Sequence, residues 1–177
     1  MAMKSIFPVA LIALLALAGC GKGPSKAEAI PFNDTLVDAN GRISKAAGVF
    51  AEAAGAAISG SIIEVGTAKR EFENLSDAVD RAKSDTRSVN VPDTPAAKAF
   101  HAASEKLLKK EEVMVKEDCR LIVAALEDSL LTPQQRLAKI RPIVGYLGSL
   151  DSAEVAGVKA AQAAFAKEQG FDLKSTK

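Results

Sequence analysis

Between Val65 and Ala82 the apolar residues Val65, Ala68, Phe72, Leu75, Val79 and Ala82 follow one another at steps of three and four without a miss. That spacing returns side chains to one face of an α-helix and to no face of a strand. Lys69, Arg70, Glu71, Glu73, Asp77, Asp80 and Arg81 fill most of the other faces. A helix with one dry stripe must bury it against something else, so this stretch demands helical partners. It should end near Ser88, because Val91-Pro92-Asp93-Thr94-Pro95 cannot continue a helix.

The partners are written in the same period. Before it, Leu36, Ile43, Phe50 and Ala57 step by sevens, with Ala39, Ala46 and Ala53 alongside, in a helix starting from Pro31 and Asn33 or Asp34 and running to Ile58. Glycines recur by sevens too, at Gly41, Gly48 and Gly55. Such small residues let two helix backbones approach closely, at a cost of roughly 1 kcal/mol each against Ala. Asn40-Gly41 offers a turn inside this helix, and Ser59-Gly60-Ser61 a turn after it. Between Lys45 and Glu64 the only charge is Glu52. Ala and Gly insert poorly into lipid and Glu52 is costly there, so a packed core helix is expected rather than a membrane span.

After the proline-rich break, Thr94 can cap a third helix with Pro95 at its first position. Its ladder is Phe100, Leu107, Met114 and Leu121, with Ile122 and Ala125, as far as about Leu130. Thr132-Pro133-Gln134-Gln135 fits a capping box opening a fourth helix, which carries Leu137, Ile140, Val144, Leu147, Val158, Ala161 and Phe165 and stops by Gly170. Pro142 should kink it. Gly145, Gly148 and Ser149 offer a break, with Asp151 restarting a shorter helix, but a single kinked helix matches the third in length. No strand signal competes. The pattern predicts an all-α, antiparallel up-down-up-down four-helix bundle over 32–170, with a C-terminal tail at 171–177.

The first nineteen residues follow other rules. Lys4 precedes a continuous uncharged stretch from Ser5 to Gly19, which ends in Leu17-Ala18-Gly19 before Cys20. A positive start, a short apolar run and small residues at a cleavage point make a secretory signal. Ile6 to Gly19 spans ~21 Å as a helix, short of a hydrocarbon core of roughly 30 Å, and Pro8 lies within it. Leu17-Ala18-Gly19-Cys20 resembles the lipobox of bacterial lipoproteins at all four positions. The resemblance implies a diacylglycerol on the Cys20 thiol, cleavage before Cys20 and acylation of the new amino terminus. Two or three acyl chains hold a protein stably on a membrane. Gly21 stands where an Asp would imply inner-membrane retention, so the resemblance points to the outer membrane, facing the periplasm. Residues 20–31 then read as the lipidated Cys and a flexible tether.

Loss of residues 1–19 leaves 158 residues and removes Lys4 as its only charge, so 22 basic side chains face 22 acidic ones. Such a balance excludes a nucleic-acid face and gives no reason for charge-driven lipid binding. With no Trp and one Tyr, there is no stacking platform for sugars or bases. Cys119 is left without a disulfide partner and is expected to pack rather than react. The single His, His101, and Cys119 are eighteen residues apart on one helix, or ~27 Å, far outside dyad reach. His101 lies one turn from Glu105, which is too few ligands for zinc. No phosphate loop exists. A catalytic set is not expected, nor any cofactor beyond the acyl groups.

One cluster resists a bland account. At 100° per residue, Glu111 and Asp118 fall within about 20° of Phe100, inside the apolar stripe. Asp151 and Glu154 fall within about 40° of Ile140 and Val158 on the fourth helix. With a hairpin turn at 131–132, all four carboxylates reach one layer, and an all-oxygen set suits calcium, magnesium or manganese. Metal or small-ligand binding is thus the alternative to the leading expectation, a membrane-anchored, non-enzymatic bundle that acts by protein contact.

Overall fold

The computed structural model describes residues 26–173 apart from Gly60, and only the backbone over 145–153. The secondary structure of the described residues is all helix, without a strand. No described helix is long and apolar enough to cross a membrane. α1 spans Lys26–Ala57, α2 Ile62–Ser88, α3 Pro95–Met114, α4 Arg120–Glu127 and α5 Pro133–Gln169. Between α3 and α4, Val115–Cys119 forms one π-helical turn; the flanking residues keep right-handed helical angles, so Pro95 to Glu127 is one rod.

The helix ends are chemically specified. The Thr94 hydroxyl accepts the Ala97 amide at 3.2 Å, with Pro95 at the first position. Thr132 and Gln135 form the expected capping box. The Ser61 amide donates to the Glu64 carboxylate, a cap absent from the sequence expectations. Gly170 takes a left-handed φ of 65°, which only glycine adopts cheaply, and Phe171 then bonds back to the Ala166 carbonyl at 3.1 Å.

One boundary moves. α1 begins at Lys26, ahead of the Asn33 or Asp34 start, so residues 26–31 are helical rather than tether. Pro31 sits in its second turn, where its missing N–H forfeits a single hydrogen bond. No turn forms at Asn40-Gly41, because α1 runs through it. α5 is continuous through Pro142 and Gly148, as the single-helix reading expected.

Packing separates into two clusters. One gathers the start of α1 (Phe32, Leu36), the start of α3 (Ala97, Phe100, Leu107) and the end of α5 (Val158, Phe165), with Val89 and Val91 from the link after α2. Phe32 meets Phe100 edge-on at 5.8 Å and Phe165 at 5.2 Å between centroids, and Phe171 closes on Phe165 at 5.7 Å. Within this end the Gln162 amide donates to Asn33 at 2.8 Å, and the Thr94 hydroxyl donates to Glu168 at 3.1 Å. The other cluster joins the later part of α1 to α2, the π turn, α4 and the start of α5, and it is built mainly from Ala, Val, Leu and Ile.

The π turn changes which residues face inward. A heptad ladder carries Leu107 to Met114 and Leu121, but the buried positions are Val115, Cys119, Ile122, Val123 and Leu126. Leu121 is 52% exposed. One extra residue in the turn rotates everything after it, so the stripe steps eight from Leu107 to Val115.

Candidate functional site

α1 packs along α2, and α5 packs along α3, but α1 and α5 scarcely meet. The gap between them is an open apolar groove of about 800 Å³. Ile43 and Phe50 of α1, with Ile58 just past its end, form one wall, Leu137, Ile140 and Val144 of α5 the opposite one, and Met114, Cys119 and Ile122 the floor between. Ser44, Glu111 and Arg141 supply its polar groups. The cause is side-chain size: α1 turns Ala47, Ala51, Ala54 and Gly55 toward the groove, and these are too short to close it. Leu137 and Val144 are left 40% and 54% exposed at its lip. A concave apolar surface with few polar groups suits a binding partner rather than chemistry.

Of the four acids, Glu111, Asp118 and Glu154 have described side chains. Glu111 is half-buried in the groove wall. Asp118 leaves the core stripe, because the π turn gives that position to Cys119, which is buried. Glu154 is bonded to the Lys110 ammonium, which lowers its pKa. The side chain of Asp151 lies outside the described residues. Among the described residues no three His, Cys, Asp or Glu side chains converge on a common point. The angular estimate that gathered them assumed an unbroken 3.6-residue helix, and it took no account of Lys110 reaching across to α5.

The remaining titratable groups are structural. His101 Nε2 lies 2.8 Å from the Thr86 carbonyl in the last turn of α2, which makes it a donor there. Glu105 stands 3.7 Å from Nδ1. Cys119 is 3% exposed, and burial, aided by the Asp118 charge, raises its pKa to about 11. As a thiol of that kind it packs, as expected. Glu112 bridges Lys116 and Lys83, the latter at 2.6 Å, and these bonds lower its pKa to about 2.

Sequence reasoning missed the outward face of α1. It expected Gly41, Gly48 and Gly55 to sit against another helix of the chain, whereas a Cβ at any of the three meets nothing within 4 Å. The available signal was the scarcity of charge after Lys45, where Glu52 stands alone before Glu64. Cys20 and the rest of the lipobox lie outside the described residues. No family model, curated protein or solved structure matches the chain.

Proposed function

We propose that this chain is a bacterial lipoprotein, held by acyl groups on Cys20 to the outer membrane on its periplasmic side, whose helical domain acts by protein contact and not by catalysis. In this reading the helices form an antiparallel up-down-up-down four-helix bundle, joined at two ends and open between α1 and α5. The observation that carries it is Leu17-Ala18-Gly19-Cys20 closing an apolar run too short to span a bilayer. Support for contact over chemistry comes from the groove, whose walls are apolar, and from a lone cysteine held as a buried thiol. The bound groups are the diacylglycerol and N-acyl chains; no other cofactor is needed.

The test is fractionation with mass spectrometry of the full chain expressed in a bacterial envelope. The native protein should enter the membrane fraction, begin at Cys20 and carry acyl mass. Cys20→Ala should accumulate as an uncleaved, unlipidated precursor. Recovery of the native protein with a free Cys20 thiol would end this reading.

A further inference from the structure

We propose that the partner seated on the outward face of α1 is a second copy of this chain, paired antiparallel about the point between Gly48 and Val49. The inference rests on reading that surface as a docking surface, and it is independent of the lipid anchor. Gly41, Ser44, Gly48, Ala51 and Gly55 make a continuous exposed stripe along α1, of which Ser44, Ala51 and Gly55 also form the edge of the groove. The three glycines touch nothing, although Ala fits at each and favours a helix by roughly 1 kcal/mol. Solvent-facing helix surfaces are ordinarily loaded with charge. This one carries only Lys45 and Glu52 from residue 45 to 63. A face without Cβ bulk admits the backbone of another helix, and a seven-residue repeat is matched by a helix of the same repeat.

The two charges choose the partner and its direction. Turned at 100° per residue, Lys45 and Glu52 stand about 60° and 40° from Gly48, on one flank. They are also equidistant from the point midway between residues 48 and 49. In an antiparallel pair the same flank of each helix lies side by side. Lys45 of either copy then lies level with Glu52 of the other, and two ion pairs close the flank. In a parallel pair that flank meets Ser44 and Ala51 instead, and both charges go unpaired. Neither makes an ion pair among the described residues of its own chain, so both are free for this role. On the other flank of α1, the exposed Leu137 and Val144 of the two grooves are brought toward each other. The starts of the two α1 helices lie ~68 Å apart, so both anchors reach one bilayer when the pair lies along it.

Cysteine cross-linking of the full-length chain in bacterial membranes tests register and direction together. Gly48→Cys should give a reducible band at twice the monomer mass, above the wild-type background. Gly41→Cys and Gly55→Cys should cross-link when co-expressed and not when expressed singly, since like positions stand ~21 Å apart. Lys45→Glu in the Gly48→Cys chain should lower the yield about fivefold, two exposed pairs being lost, and adding Glu52→Lys should restore it. A dimer from Gly41→Cys alone, no band above wild type in any variant, or a Gly48→Cys adduct with a different protein each overturns the pairing. The last of these leaves the docking surface itself standing.

Discussion

The two ends of this molecule are packed from different materials. At one end four phenylalanines, Phe32, Phe100, Phe165 and Phe171, interlock between α1, α3 and α5, and the first three are almost wholly buried. At the other end, Ala54, Ala57 and Ala68 fill core positions, Phe50 and Phe72 meet at 6.1 Å, and a groove remains open. Each buried aromatic contributes roughly 1.5–3 kcal/mol, and each ring pair a further 0.5–1.5 kcal/mol. Alanine contributes far less and leaves space. The aromatic end therefore holds the helices in place, and the alanine-rich end leaves surface for a partner. On the proposed reading, stability and contact fall to opposite halves of one helical scaffold.

The sharpest way to break this contrast is to truncate an aromatic at each end. Phe165→Ala should cost roughly 4–5 kcal/mol in chemical denaturation, because three rings close around the void. Phe50→Ala should cost about 3 kcal/mol or less, since one side of that ring already borders the groove. Equal costs would mean that the ends do not differ in the way proposed.

Smaller effects refine the picture. Gly170→Ala should cost about 1–2 kcal/mol, because a Cβ is strained at a φ of 65°. Gly48→Ala should instead stabilise the monomer by up to about 1 kcal/mol, since the helix gains propensity and nothing is displaced. Opposite signs at two glycines, read from melting temperatures in dilute detergent solution, separate a required glycine from one kept for surface shape. Thr94→Ala should cost about 1 kcal/mol at the aromatic end through loss of the cap and of the Glu168 bond.

The smallest expected effect is on pH dependence. The Glu112 carboxyl is held at about 2 by Lys116 and Lys83, below its ordinary 4.5. A depressed folded pKa gives stability that is present above 4.5 and lost as pH falls toward 2. Glu112→Gln should flatten that part of the acid limb and leave the neutral side of the curve unchanged in shape. An acid limb identical to wild type would remove this bridge from the account.

Much of the scaffold was legible because its signals are local. The Thr94 and Thr132 caps, the stop at Gly170 and the ladder of α2 each depend on a few neighbouring residues, and each stands where the sequence placed it. Phe72 is only half-buried, although its period put it in the core, because period fixes a direction and not the depth of cover. After Leu107, Ile122 and Ala125 stand inward as the sequence placed them, whereas Leu121 turns outward. A π turn adds one residue to the helix, and nothing in the heptad of Phe100, Leu107, Met114 and Leu121 announces it. Val115, Cys119, Ile122 and Leu126, at steps of four, three and four, were the trace it left. Pairing such as Lys110 with Glu154 was not legible either, because it depends on which helices become neighbours. The glycine stripe was seen as a packing device, but its outward direction is set by where α2 and α5 sit, which periodicity alone cannot say.

The contrast between the two ends is tested most directly by amide hydrogen exchange on the full-length protein. Amides of residues 29–36, 97–107 and 158–166 should exchange slowest, near the rate set by global unfolding. Those of 43–57 and 137–144, along the groove, should exchange faster through local opening. Uniform protection across both ends, or slower exchange along the groove in a monomeric sample, would contradict the division of the molecule into a closed aromatic end and an open, grooved end.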